Sequence, residues 1–447
     1  MNVLEIICPS YVNTAIRLLN NGGFKAYAVG GCVRDMIMGR EPNDWDMTTS
    51  ALPEETMEVF SGFRTIPTGL KHGTVTVLIE GHPLEITTMR IDGEYHDSRR
   101  PDSVFFTDEI TMDLSRRDFT VNAMAYCPES GIIDPFGGRN DIENKIIRCV
   151  GDPDKRFGED ALRIIRALRF ASVLGFEIEN NTADSIMKNH LTMQNIAAER
   201  IRVELVKLLT GKDAEKILTE YKEVIFGIIP ELKDCDGFPQ KTPYHVFDVW
   251  THTVKVVGAV RNEPTFRVAA LLHDIAKPEC LKYDDCGVAH FKGHPEKGAE
   301  TAKKIMQRLH FSNTEISTVY DMILLHDKRP DGVKSHLARL CSEHSAEAVK
   351  NALELLIADA AGKAPDYYAV ELERYTTAKK QLDEILNDGT PLKTKELDIN
   401  GNDLQRLGFI GKEIREVLER LLDDVIDGRI SNKKAELEKQ ANNYKKV

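Results

Sequence analysis

AYAVGGCVRDMIMGREPNDWDMTT, residues 26–49, is the stretch that decides the fold of this chain. AYAV has strand composition, Gly30-Gly31 makes a turn, CVRDMIM reads as a short helix and Gly39 stops it. Two glycines at a strand-to-helix turn let backbone N–H groups face an anion. Alone, such a turn is as readily a tight corner as a phosphate cradle. Asn43-Asp44-Trp45-Asp46 then places carboxylates at i and i+2 of an extended segment, on one face. A pair of that kind can hold Mg²⁺ for in-line phosphoryl or nucleotidyl transfer, although an isolated DxD is more often a polar turn. Glu85, within the strand-like LEITTMR, offers a third carboxylate and equally reads as a solvated strand residue.

Outward from this stretch the texture stays mixed to about residue 147. GTVTVLIE at 73–80 and HPLEITTMR at 82–90 have strand composition and are bounded by Gly or Pro. From about 148 the apolar residues recur at i, i+3, i+4 and i+7, as in ALRIIRALRFASVL and KEIREVLERLLDDVI. The expected architecture is an α/β head over 1–147 and a helical neck over 148–215. A helical body over 216–375 and a helical tail over 376–447 follow.

A chain of 447 residues exceeds one hydrophobic core, so several domains are expected. With 59 Lys+Arg against 71 Asp+Glu, the formal charge of −12 argues against a histone-like or polybasic membrane-surface protein. It leaves nucleic acid open, because a local cleft can be positive on an acidic chain. No apolar run reaches membrane-spanning length, and the N-terminal stretch carries Glu5 and reads as an amphipathic helix, not a signal peptide. Eight scattered cysteines form no CxxC pair, which points to a reducing cytoplasm.

GGCVRD, NDWDMTT, TGLKHGTVTV, EITTMRIDGEY, SRRDFTVNAMAY, DPFGGRNDI, RFGEDALRIIRALRFA and ERIRVELVKLL follow one another in order between residues 20 and 210. Together they resemble bacterial class II tRNA nucleotidyltransferases, the CCA-adding enzymes and their poly(A) polymerase relatives. The resemblance implies a polymerase-beta-like nucleotidyltransferase head, with Asp44, Asp46 and Glu85 catalytic and Mg²⁺ at the two aspartates. Gly30, Gly31 and Arg34 suit a ribose and triphosphate cradle by their own chemistry. Similarity to the family adds Arg117, Asp118 and Asn122, from the segment that lies against the nucleotide. Arg166 and Arg169 continue the stripe as nucleotide contacts or as a solvated face, and Arg200 and Arg202 stand equally open.

Glu159-Asp160-Ala161-Leu162-Arg163 opens a helical run, which predicts Asp160 and Arg163 on one face at i and i+3. A carboxylate accepts and a guanidinium donates hydrogen bonds. Cytosine and adenine each present an amino donor beside a ring-nitrogen acceptor, so one Asp–Arg pair complements both. Uracil and guanine present the inverse pattern and are rejected at the cost of buried, unpaired polar groups. An intrahelical salt bridge is the plain alternative; the resemblance implies base reading. The polar stretch 91–106, with Arg99-Arg100-Pro101, resembles the loop carried by CCA- and A-adding members, against a CC-only enzyme.

Seven of the thirteen histidines fall between 245 and 326. His252, His273-Asp274, His294, His326 and Asp359 resemble the ligands of an HD phosphohydrolase domain. The first metal would take His252, His273, Asp274 and Asp359, and the second His294 and His326. Such a mix suits Ni²⁺, Mn²⁺, Fe²⁺ or Zn²⁺ better than Ca²⁺. His245 reads as support or core. The function expected is template-independent addition or repair of tRNA 3′-CCA from CTP and ATP, with accessory phosphohydrolase activity. Runners-up are an A-adding enzyme or poly(A) polymerase and, more remotely, a nucleotidyltransferase–HD regulator of a signalling protein. A dead RNA-binding scaffold conflicts with carboxylates at both sites.

Overall fold

Alternating burial along Thr74–Ile79, one residue in and the next half out, lays this strand with one face on a core. In the computed structural model, which describes residues 8–70, 73–93, 103–242 and 244–445, it belongs to a seven-stranded sheet. The elements leading there are α1 (Ser10–Asn21), β1 (Ala26–Val29), α2 (Gly31–Ile37), β2 (Asp46–Thr49), α3 (Pro53–Val59) and β3 (Arg64–Gly69). Then come β4 (Thr74–Ile79), β5 (His82–Thr88), β6 (Arg90–Asp92), β7 (Val104–Phe106), α4 (Ile110–Ser115), β8 (Ala125–Cys127), β9 (Gly131–Ile133) and α5 (Gly138–Asn144). The sheet order is β3-β4-β5-β2-β1-β8-β9. Among the described strands of this sheet, β2 and β5 alone pair in parallel, and their register sets Asp46 opposite Glu85.

The strands expected at 26–29, 73–80 and 82–90 are therefore present, and α2 follows the Gly-Gly turn as read. β6 and β7 pair as the arms of the polar loop; its Arg99-Arg100-Pro101 lies outside the described residues.

Beyond the sheet run β10 (Ile146–Ile147), α6 (Pro153–Glu159), α7 (Leu162–Leu174), β11 (Glu177–Ile178), α8 (Asn180–Asn189), α9 (Ala198–Leu209), α10 (Ala214–Glu220) and α11 (Lys222–Ile228). The reading of EDALR as the start of one helix is corrected here. α6 ends at Glu159, Asp160 is extended at φ −146° and ψ 103°, and α7 begins at Leu162. Asp160 accepts from the Leu162 N–H at 3.0 Å, and a side chain that bonds its own backbone so closely breaks a helix in two.

The chain forms two compact units, 1–228 and 229–447, so α10 and α11 belong with the first unit. The second holds α12 (Val249–Ala259), α13 (Pro264–Leu272), α14 (Lys277–Cys280), a small hairpin β12 (Lys282–Tyr283) and β13 (Ala289–His290), then α15 (His294–Arg308) and α16 (Asn313–Leu325). α17 (Lys334–Glu343), α18 (Ala346–Ala361), α19 (Pro365–Asn387), α20 (Gly401–Arg406), α21 (Lys412–Ile426) and α22 (Lys434–Tyr444) complete it. Tyr375, Leu404, Leu421 and Leu437 are buried together in its core. No disulfide joins the eight cysteines. Among the described residues no helix is long and apolar enough to cross a membrane.

Candidate active site

The first unit builds its site around the turn between β1 and α2. Gly30 sits at φ +83°, and a Cβ there would stand 2.8 Å from Arg117 Nη1. Glycine is thus required twice, for the backbone and for the guanidinium packed against it. Asp44 lies in the loop before β2 and Asp46 is its first residue. Both are exposed while Trp45 between them is buried, the alternation of an extended chain that puts both carboxylates on one side. Glu85 is exposed beside Asp46 on the neighbouring strand. The protein around Asp46 raises its carboxyl pKa; Arg117 opposes the rise and Asp44 adds to it.

Behind the carboxylates the arginines form a connected network. Arg34 donates to Asn122 Oδ1 at 2.6 Å and pairs with Asp35 at 2.8 Å. Asn122 donates to Asp118 at 3.2 Å, and Asp118 Oδ2 accepts both Nε and Nη2 of Arg166, at 2.9 and 2.6 Å. Burial alone would raise the Asp118 carboxyl, but the Arg166 fork more than offsets it and holds the pKa at about 2. Arg166 and Arg169 both reach Glu204, at 3.5 and 2.9 Å. Burial brings Arg169 down to about 10, with Glu204 opposing and Arg166 adding to the fall. Arg117 is paired with Asp113 at 3.6 Å.

The two expected base-reading residues meet through the backbone, the Arg163 N–H donating to the Asp160 carbonyl at 3.0 Å, while their side chains reach other partners. Asp160 takes Arg200 Nη2 at 2.8 Å, whereas Arg163 donates to Glu159 at 2.6 Å and to the Arg116 carbonyl at 3.0 Å. The helix break between them explains the difference, since no common helical face exists. Arg200 is thereby drawn into the site; Arg202 is half-buried on the same helix. Glu204, Asp113 and Glu159 were missed as partners. Their signal was only that so many buried arginines require carboxylates.

The second unit gathers another cluster. Ligand-type atoms of His252, His273, Asp274 and Asp359 lie within 4.8 Å of one another, as do those of Asp274, His294 and His326. Asp274 is common to both sets. Each of the four histidines directs Nδ1 to a backbone carbonyl: Gly362, Ala270, Phe291 and Ile323, at 3.1, 2.8, 2.7 and 2.6 Å. Every Nε2 then turns into the cluster, His252 meeting Asp359 at 2.9 Å and His294 meeting His326 at 3.1 Å, an orientation like that of metal-binding imidazoles. His273 Nε2 and both oxygens of Asp274 are buried without a well-formed hydrogen bond. Lys277 stands 2.6 Å from Asp274, and Lys363 2.7 Å from Asp359. Burial and the neighbouring His326 bring His294 down to about 4, so it is neutral at pH 7. A cavity of about 300 Å³, lined by Lys277, Lys292, Arg329 and Lys363 among others, opens onto these groups. His245 lines it too, held to about 2 by burial beside Lys277.

A sheet carrying exposed carboxylates in register beside a glycine turn and a buried arginine network defines a nucleotidyltransferase head of the polymerase type. The chain matches the family model of the poly(A) polymerase head domain over 26–148. It also matches the probable RNA and SrmB-binding site of polymerase A over 175–234 and the putative tRNA nucleotidyltransferase domain 2 over 294–441. A CCA-adding enzyme of Geobacillus thermodenitrificans is 34% identical over 434 residues, covering 94% of this chain and 93% of that protein. One from Lactobacillus helveticus is 50% identical over 196 residues, 44% of this chain and 49% of the relative. The crystal structure of the Bacillus stearothermophilus CCA-adding enzyme in complex with CTP superposes with a TM-score of 0.71 at 26% identity, covering 98% of both chains. The chain belongs to the CCA-adding enzyme family.

Proposed function

We propose that this protein adds or repairs the 3′-terminal CCA of tRNA, taking CTP and ATP as substrates and working in the cytoplasm. Near full-length kinship with CCA-adding enzymes carries the reading. Asp44, Asp46 and Glu85 offer the carboxylate oxygens that Mg²⁺ prefers. When bound, the ion supplies charge neutralisation at the triphosphate and a more acidic RNA 3′-hydroxyl. Gly30 and Gly31 give the phosphates room to approach the backbone, and Arg34, Arg117, Arg166 and Arg169 supply positive charge. Asn122 holds Arg34 in place and Asp118 holds Arg166. Asp160 still has acceptor capacity beyond Leu162 and Arg200, so it takes the base amino group, while Arg163 donates to the adjacent ring nitrogen. The test uses purified protein, Mg²⁺ and tRNA lacking its last one, two or three nucleotides, with each labelled nucleotide supplied alone. C and A incorporation that stops at a complete CCA is expected; A-tailing of arbitrary RNA would instead support a poly(A) polymerase.

A second reading concerns the other unit: an HD-type metal centre acting on a phosphoester. Its support is the pair of ligand sets sharing Asp274, with every histidine presenting Nε2. Imidazole and carboxylate donors suit Mn²⁺, Ni²⁺ or Fe²⁺, which would supply a metal-bound water of lowered pKa. Asp274 and Asp359 are each already neutralised by a lysine, so added metal charge leaves the pocket cationic and fit for a phosphate. Calorimetric titration with Mn²⁺ should show saturable binding that is lost in His273→Ala with Asp274→Ala; equal heats in the two proteins would remove the site.

A further inference from the structure

Three of the arginines assigned to the nucleotide surround a single aromatic ring. Arg169 Cζ lies 3.7 Å from the Phe170 ring centroid, Arg34 Cζ 5.3 Å and Arg166 Cζ 5.4 Å. Arg166 and Arg169 share α7 with Phe170, but Arg34 comes from α2, immediately after the glycine turn. The ring is buried, and Phe119 meets it edge-on at 5.7 Å with an interplanar angle of 77°. Its orientation is thus set by the core rather than by the arginines.

Three guanidiniums held so close repel one another. Each has a carboxylate at one end, Asp35, Asp118 or Glu204. Glu204 is shared by Arg166 and Arg169, and Asn122 with Asp118 links Arg34 to Arg166, so polar partners join the three in sequence while Phe170 lies near all three at once. The negative face of an aromatic ring attracts cations without carrying a charge that would repel a triphosphate. A carboxylate placed there would do the first and fail the second.

We infer that Phe170 is a positioning residue for nucleotide binding, which gathers Arg34, Arg166 and Arg169 by cation–π attraction. This rests on the reading that these arginines contact the nucleotide. The ring touches no substrate atom; it sets the spacing of groups that do.

The experiment replaces Phe170 with mono-, di- and trifluorophenylalanine, which keep the shape of the ring and progressively cancel its negative face. KM for CTP and for ATP should climb stepwise, reaching on the order of 3- to 10-fold with three fluorines. The kcat should change little, because binding common to ground and transition states is what is lost. The Tm should stay level across the series. A flat KM series overturns the inference, as does a Tm that falls in step with KM, which would make Phe170 a packing residue. A second arm separates the two ideas: Arg34→Gln, Arg166→Gln and Arg169→Gln. If none raises KM, the assignment of the arginines to the nucleotide fails. If they raise it while the fluorinated series is flat, only the role of Phe170 fails.

Discussion

At position 30 the backbone and a distant side chain impose the same choice. Gly30 is left-handed at φ +83°, and its missing Cβ is the space occupied by Arg117. Gly30→Ala should cost about 1–2 kcal/mol from the conformation alone and displace Arg117, with a fall in both C and A incorporation. Urea unfolding together with nucleotide addition checks this; wild-type values in both would sever the link between Gly30 and Arg117. Asp160 makes a different demand. Asp160→Ala removes the acceptor for the base amino group, so discrimination against UTP and GTP should fall by about 1–3 kcal/mol, roughly 5- to 150-fold in kcat/KM. Incorporation of all four nucleotides on tRNA lacking CCA measures it. One common slowing of all four would make Asp160 a helix cap and nothing more. Arg200→Met should give a smaller loss in the same direction, since Arg200 only holds the carboxylate.

Between elements, the Asp118–Arg166 fork ties the segment after α4 to α7. The folded-state pKa of Asp118 is depressed to about 2 from 3.8. Its contribution is therefore complete above about pH 4 and is lost as the pH falls toward 2, worth about 2 kcal/mol. Asp118→Asn should be less stable than the parent by about that amount at pH 6, and by roughly half as much at pH 3. Denaturant titrations at the two pH values compare the gap, and a gap independent of pH would mean the ionised form is not what the fork stabilises. The four imidazole–carbonyl bonds of the second unit work at the same scale. Each ring is turned by the end of a helix or the turn beside it, so which nitrogen faces the cluster is chosen by backbone, not by residue type.

For the whole molecule, the division at 228/229 separates the two side-chain clusters. Asp44, Asp46, Glu85 and the arginine network lie in one unit, and the histidine cluster lies in the other. His273→Ala with Asp274→Ala should therefore leave nucleotide addition within about 2-fold of the parent while abolishing Mn²⁺ binding at the histidine cluster. Loss of CCA synthesis in a folded variant would show that the units depend on each other. Mn²⁺ at about 100 times its Kd should raise the stability of the second unit by about 2.7 kcal/mol. Calorimetric unfolding with and without Mn²⁺ should then move a single transition; an equal shift of the whole profile would contradict separate units.

Local chemistry in the sequence was enough for much of this protein. The strand–Gly-Gly–helix order, the one-sided carboxylates of the extended Asp44–Asp46 stretch and the helix carrying His252 depend on neighbours in the chain, and all are present where expected. The family was legible for the same reason, in ordered motifs from residue 20 to 210. What required the tertiary structure was partnership across long separations. Asp160 and Arg163 looked like one helical pair, yet a carboxylate that can cap its own backbone broke the helix, and Arg200, forty residues on, took its place. Glu204 binding two arginines, and Phe170 collecting Arg34 with its own neighbours, were equally invisible in the sequence. The physical reason is common to all three. Spacing along a chain determines which way a side chain leaves its helix or strand, but the burial of charge is settled only when another element arrives to neutralise it.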